Sequence, residues 1–378
     1  MVTAMRASVD TTPFRDLYPW QGRYVDVGGG VRMHYLDEGE GEPLVMLHGN
    51  PTWSFFYRDL VRRFSGSYRT IVPDHVGCGL SDKPGDDRYD YVLARRVEDL
   101  DTLLDHLEVR GGITLVLHDW GGMIGLVWAM RNLAKVKRIL LFNTAGFGLP
   151  PGRILPWQIG VVRHLPGFSF PIRGLNAFVR GALMTCSVRP GRLTPQVKAG
   201  YLAPYDSWAN RIAVQRFVED IPLSPGDPSF ELVDEVARSL DRLSSIPVFI
   251  GWGAKDYVFD DHFLAEWHLR VPHAEVHRIP DAGHFVFEDA KEELFPLMES
   301  FLARHPLQAA GQPARGASDP LQAEAATGAV QRDSARVAGT EAATFAAQSD
   351  TARVAGTETA ADAAQSDTAR VAGTEAKA

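Results

Sequence analysis

Residues 113–125 read ITLVLHDWGGMIG. Ile113–Leu117 is a short apolar run rich in branched side chains, the composition of a buried strand. The glycines at 121 and 122 open an amphipathic stretch, Met123–Leu133, that predicts a helix. A strand that turns sharply into a helix through small residues presents its apex side chain above the sheet, as in a nucleophile elbow. The apex here is Asp119, with Leu117 where that pattern carries glycine two positions earlier. A serine that displaced a leaving group from saturated carbon would end as a stable ether. An aspartate becomes an alkyl ester, which can be broken again. The segment therefore points to C–halogen, epoxide or strained-lactone C–O bonds. An aspartate before a helix also serves as a plain N-cap, so residues elsewhere decide between the two readings.

Outward from this segment, apolar strand-like runs alternate with helix-like ones. The strands are Leu44–Leu47, Thr70–Pro73, Arg138–Phe142, Val248–Trp252 and Glu275–Ile279, preceded by a hairpin around Gly28-Gly29-Gly30. Helical runs fall at Tyr57–Phe64, Val92–Leu107, Phe263–Arg270 and Glu292–Leu302. This alternation predicts an α/β protein with a mostly parallel central sheet and helices on both faces, its ligand at the carboxyl ends of the strands. Between Gly146 and Asp227 the alternation stops, and the chain becomes dense in Pro, Arg and aromatics with helical runs only. So long a plain loop is uncommon. Residues 18–145 and 228–304 accordingly read as two parts of one α/β core, and 146–227 as a helical cap over the strand ends. Residues 305–378 lose nearly all large apolar groups and repeat RVAGTE at Arg336, Arg353 and Arg370, so they read as a disordered tail.

Charge and cysteine content narrow the function classes. The formal charge is −8, of which −3 belongs to the tail, and no basic stripe suggests nucleic acid. Two cysteines, Cys78 and Cys186, give no disulfide framework. The N-terminal residues lack the apolar region of a secretory signal, so a cytoplasmic location is the expectation, with peripheral membrane contact if the substrate is oily. No spacing suggests a metal site or a phosphate-cradling loop, so neither metal nor cofactor is expected.

An aspartate nucleophile needs a base, an acid to orient the base, and donors for the departing charge. His284, in Pro-Asp-Ala-Gly-His 280–284, follows the last strand-like run and precedes a helix, the placement of a base. Asp256 ends the loop after Val248–Trp252, between nucleophile and histidine in chain order. At the end of the preceding strand stands Asn143, which carries no charge; Asp260, Asp261 and Asp281 read as solvated or capping residues. Backbone N–H groups near Asn50 and Trp120 fit an oxyanion hole, and the Asn50 amide and Trp120 indole add uncharged donors for a leaving group. In the cap, Trp157, Phe168, Phe170, Phe178, Met184, Tyr201, Tyr205 and Trp208 suggest an apolar lining and hence a hydrophobic small-molecule substrate.

His48–Thr52, the segment DHVGCGLSDKP at 74–84 and HDWGG at 118–122 resemble the haloalkane-dehalogenase branch of the α/β-hydrolases. Within that branch, PPGRILPWQ at 150–158, YLAPYDSWANR at 201–211 and RFVEDIP at 216–222 resemble the β-lactone decarboxylases of bacterial long-chain olefin biosynthesis. The likeness runs from about Tyr18 to Leu302. It implies the α/β-hydrolase fold, Asp119 as nucleophile, His284 as base, Asp256 as its acid, and Asn50 and Trp120 on the leaving group. The implied reaction turns a cis-3,4-dialkyl β-lactone into a cis-alkene and CO₂. Attack at the ring C–O carbon with inversion, then anti loss of CO₂, retains that geometry and regenerates Asp119 without water; attack at the lactone carbonyl is the other route. The implied pathway neighbours are a condensing enzyme, a reductase and a β-lactone synthetase. Haloalkane dehalogenation through the same aspartyl ester is the main alternative, ahead of epoxide hydrolysis and of a non-catalytic ligand-binding relative.

Overall fold

A computed structural model describes residues 9–164 and 169–306. Eight strands form one sheet: β1 (Arg23–Asp26), β2 (Arg32–Glu38), β3 (Pro43–Leu47), β4 (Arg69–Pro73), β5 (Ile113–His118), β6 (Val136–Phe142), β7 (Val248–Gly253) and β8 (Glu275–Ile279). Their order is 1-2-4-3-5-6-7-8. The β1–β2 and β2–β4 pairs are antiparallel and all others parallel. Strands β5 and β7 are buried at every position, which is why they read as unbroken apolar runs rather than alternating ones.

The helices are α1 (Arg58–Phe64), α2 (Leu93–His106), α3 (Trp120–Arg131), α4 (Trp157–His164), α5 (Ala177–Thr185), α6 (Pro195–Leu202), α7 (Ile212–Glu219), α8 (Phe230–Ser239), α9 (Asp261–Arg270), α10 (Val286–Asp289) and α11 (Lys291–Arg304). Five of them, α4 to α8, fall between β6 and β7, and α4 to α7 lie within residues 146–227, where the strand pattern stops. Ile159, Val162, Val179, Val214 and Val218 from these helices, with Ile172 from the Phe170–Gly174 turn, form an apolar cluster of their own. The predicted tail, apart from its first two residues, lies outside the described residues.

Most element boundaries differ from the sequence reading by one or two residues, and one difference shapes the site. Helix α3 begins at Trp120, not Met123, so the two glycines form its first turn. Packing is the reason. A Cβ on Gly121 would stand 1.9 Å from the Leu47 carbonyl oxygen, so only glycine lets α3 start directly against β3. That close approach brings the apex of the turn over the centre of the sheet.

Candidate active site

Asp119 leaves β5 with φ 52° and ψ −128°, a backbone conformation that costs a non-glycine residue about 1–3 kcal/mol. The surroundings hold it there. The Asp119 N–H donates to Asn143 O at 3.2 Å, and the Thr144 hydroxyl donates to Asp119 O at 2.6 Å. The bond that an N-cap side chain makes, to a backbone N–H at the second or third position of its helix, is absent, so the N-cap reading does not describe this carboxylate. Its Oδ1 instead accepts the Asn50 backbone N–H at 2.7 Å, and the Trp120 backbone N–H also donates to the carboxylate.

The Asn50 loop is itself pinned. His48 Nδ1 lies 2.8 Å from Gly49 O, and the His75 N–H donates to His48 Nε2 at 3.0 Å. Buried Asp74 accepts the Ser54 and Leu80 N–H groups and meets His34 Nδ1 at 2.8 Å. These bonds lock the loops after β3 and β4 together beneath the nucleophile.

His284 stands between two carboxylates. Its Nδ1 is 2.7 Å from Asp256 Oδ2, and its Nε2 is 3.6 Å from Asp119 Oδ2. The second Asp256 oxygen accepts the Val258 N–H at 2.7 Å. Gly253 permits this meeting, because a Cβ there would stand 2.2 Å from Gly283 O. Asn143 turns away from the histidine. Its amide spans β6 and β7, with Nδ2 donating to Gly253 O at 3.0 Å and Oδ1 accepting the Gly253 N–H at 2.8 Å.

Burial pushes the Asp119 carboxyl up from its ordinary value, opposed by His284 and by the Trp120 and Asn50 N–H groups. Burial alone would push His284 down, but Asp256 and Asp119 outweigh it and raise the imidazole. Each shift reports the same arrangement, two acids and a base sharing a dry site.

This site forms the floor of an apolar cavity of about 370 Å³. Asn50, Asp119, Trp120 and His284 line one end, and Met123, Phe147, Leu155, Trp157, Phe178 and Leu223 are among the residues lining the rest. The Asn50 amide already gives one hydrogen to Val214 O, at 3.1 Å, leaving its second for a ligand. Trp120 packs on Phe217 at 5.3 Å between ring centroids, and the buried Arg96 guanidinium lies behind both rings. The aromatic residues expected to line the cap divide. Trp157 and Phe178 reach the cavity, Tyr201 and Tyr205 are buried, and Phe170, Met184 and Trp208 face outward. Phe168 lies outside the described residues. Among the described residues, no cluster of three or more His, Cys, Asp or Glu side chains is placed to hold a metal.

Sequence reasoning misses the acids that hold the histidine loop to the cap. Asp289 is fully buried and accepts the Gly283 and Val188 N–H groups and the Ser187 hydroxyl, at 2.8, 3.0 and 2.6 Å. The Phe285 N–H donates to Cys186 O at 2.7 Å. Beside it, Glu288 takes both forks of Arg58, at 2.6 and 2.7 Å, and the Tyr201 hydroxyl at 2.5 Å. Two adjacent acids after the apolar run Phe285–Phe287 are the only local hint. Their partners lie about 100 and 230 residues away in the chain.

Residues 42–291 match the family model of the alpha/beta hydrolase fold. The chain is 49% identical over 297 residues to the cis-3-alkyl-4-alkyloxetan-2-one decarboxylase of Xanthomonas campestris, covering 77% of this chain and 98% of that protein. It is 45% identical over 286 residues to the protein of the same name from Shewanella oneidensis, covering 76% and 89%. The crystal structure of the haloalkane dehalogenase DatA from Agrobacterium tumefaciens superposes with a TM-score of 0.67 at 26% identity, covering 76% and 97%. The chain therefore belongs to the alpha/beta hydrolase fold family, in its haloalkane dehalogenase-like branch, alongside the cis-3-alkyl-4-alkyloxetan-2-one decarboxylases.

Proposed function

We propose that this enzyme decarboxylates cis-3,4-dialkyl β-lactones to cis-alkenes, with Asp119 as nucleophile. The observation that carries the reading is a strained elbow bearing a carboxylate, not a hydroxyl, at the floor of an apolar cavity. A carboxylate suits attack on saturated carbon, since the ester it forms can leave again. The decarboxylase relatives support the lactone as substrate, being far closer in sequence than the dehalogenase structure.

The steps follow from the placement of the two carboxylate oxygens. Asn50 N–H holds Oδ1, so Oδ2 attacks the ring C–O carbon. The carbon–oxygen bond of the ring breaks, its electron pair goes to the lactone oxygen, and a free carboxylate results. The configuration at the attacked carbon inverts. The bond from the carboxylate carbon to the neighbouring alkyl-bearing carbon then breaks, its pair forms the carbon–carbon double bond, and the Asp119 ester oxygen departs with its original pair. CO₂ and the alkene form, and no water or oxidant enters. Inversion followed by anti elimination gives the cis-alkene from the cis-lactone. Trp120 and Asn50 side-chain donors face the developing carboxylate, and the His284 imidazolium, favoured by Asp256 and Asp119, offsets the negative charge passing through the site. An oily substrate also fits a place in olefin biosynthesis, behind a reaction that closes the β-lactone ring.

The test is a single assay in H₂¹⁸O with a synthetic cis-3,4-dialkyl β-lactone. Alkene appears by gas chromatography, and the peptide containing Asp119 stays free of ¹⁸O after many turnovers. An enzyme that releases halide from bromoalkanes, makes no alkene, and accumulates ¹⁸O in Asp119 is a dehalogenase instead.

A further inference from the structure

The outer surface of the cap differs from the rest of the molecule in two independent ways. Eleven large apolar side chains stand exposed among the described residues, and eight of them fall within residues 146–227. Ile154, Trp157 and Met184 are 79%, 73% and 81% exposed, and Phe170, Leu175 and Trp208 accompany them. Monomeric proteins scatter such residues singly; gathered on one element they mark a contact surface. The same residues 146–227 hold nine Arg and Lys against four Asp and Glu, a net of +5 on a chain of net −8.

The two features coincide in space. The turn Phe170–Gly174 packs against both α5 and the Ala209–Arg211 turn, which joins Phe170, Leu175 and Trp208 to the helix carrying Met184. Arg153 reaches Tyr257 O at 2.7 Å, and the Tyr257 hydroxyl meets Thr185, next to Met184, at 3.3 Å. This ties Ile154 to the same side. Several cap arginines near the core are neutralised, such as Arg189 by Asp281 and Arg192 by Glu292. Arg173, Arg180 and Lys198 have no carboxylate partner among the described residues, and Arg173 lies 4.8 Å from the Trp208 ring. Trp157 and Leu149 belong both to this exposed set and to the lining of the cavity, so the cavity opens through the apolar surface.

We propose that the cap docks on an anionic lipid surface, with these side chains seated at the headgroup level and the cavity mouth against the bilayer. Exposed Trp and Phe beside unpaired Arg is the pattern of an interfacial anchor. A second copy of the chain is a poor occupant, since a two-fold contact would set two cationic caps face to face. The net negative remainder of the chain is repelled by the same lipid, which orients the molecule cap first. An oily substrate dissolved in the bilayer would then enter without crossing water.

Co-sedimentation of the full-length protein with phosphatidylcholine vesicles, with and without phosphatidylglycerol, tests this. The expected result is binding that needs phosphatidylglycerol and weakens at high salt. Met184→Glu combined with Ile154→Ser lowers the partition coefficient at least tenfold. Arg173→Ala and Arg180→Ala each lower it about fivefold, the equivalent of about 1 kcal/mol per cation. Tyr24→Ser and Leu269→Ser, at exposed apolar positions away from the cap, leave it unchanged, and thermal melting checks that every variant is folded. No binding to phosphatidylglycerol vesicles, equal binding to pure phosphatidylcholine, or equal losses from cap and control variants would overturn the proposal. A dimer by light scattering that Met184→Glu dissociates would assign the face to a second copy and overturn it as well.

Discussion

The floor and the roof of the cavity are built on opposite plans. At the floor, Asp119, His284 and Asp256 sit on loops whose polar atoms are bonded to other loops of the core, and nearly every contact is shorter than 3.2 Å. At the roof, α4 and α5 meet the cavity with apolar side chains that make no directional bonds. The floor thus fixes geometry and the roof fixes shape. The DatA dehalogenase shares the fold at 26% identity; on the proposed function one fold serves different leaving groups, and the roof is where the substrate is chosen. This division is testable at several strengths.

The largest effect should come from the floor. Asp119→Asn removes the proposed nucleophile and should lower turnover by about 10⁴-fold or more, measured as alkene released. Its stability should move the other way. Burial raises the Asp119 pKa in the folded state, so its contribution favours folding below the ordinary carboxylate range and is lost as pH rises through the raised value. At neutral pH the charge therefore costs stability, and the asparagine variant should melt at the same temperature or higher. A lower melting point with retained turnover would reverse the roles assigned here to strain and charge.

The joint between floor and roof is next. Glu288→Gln removes the bidentate counter-charge of the buried Arg58 guanidinium, leaving it only Asp59 at 3.8 Å, and should cost about 3 kcal/mol in urea unfolding. Replacing both, Arg58→Met with Glu288→Leu, should recover most of that loss, because the cost lies in the uncompensated charge. A smaller and different effect is expected from Asp289→Asn, which weakens the bonds that hold Gly283 and the start of the cap loop. Displacing His284 by a fraction of an ångström should lower kcat about 10²-fold with little change in KM. Equal changes in both constants would mean that Asp289 shapes the binding cavity instead.

The pH profile separates the two chemistries the floor can support. Asp256 and Asp119 raise His284, so its imidazolium persists above the ordinary histidine value. If His284 acts through its charge, decarboxylation falls as pH rises through that raised value. Ester hydrolysis needs the neutral imidazole as base and rises over the same range. On the acid side, protonation of Asp119 ends either reaction at a pH above the ordinary carboxylate range. A decarboxylation rate that climbs through the His284 titration would give the histidine the role of base after all.

The sequence was legible where function is local. Ile113–Gly125 announces strand, apex and helix because a parallel strand buried on both faces must be apolar, and because close helix packing demands glycine. Asp256 and His284 stand out by chain order after strands that the alternation already places. Asp289, Glu288 and Arg58 were not legible, since their meaning lies in partners far along the chain, Val188 for Asp289 and Arg58 for Glu288, that only the fold brings near. Asn143 was legible as a gap in charge, but its bridging of β6 to β7 was not. The helix start at Trp120 was misplaced for a physical reason. Two glycines look like a linker until the Leu47 carbonyl is seen to occupy the space a side chain would need.

The weakest and most selective effect belongs to the roof. Leu223 lines the cavity and its backbone N–H is held by Asp227, so Leu223→Trp adds volume without removing a hydrogen bond of Asp119 or His284. A cavity of about 370 Å³ has little room to absorb an indole. The variant should lose about tenfold in kcat/KM for long-chain dialkyl lactones, the size of effect a pocket obtains from one or two methylenes, and keep its rate on short-chain ones. Its pH profile should overlay that of the unmodified enzyme, since no charge has moved. A uniform loss across chain lengths would show that the roof tensions the floor and does not merely gauge the substrate; the separation of shape from geometry would then fail at Leu223.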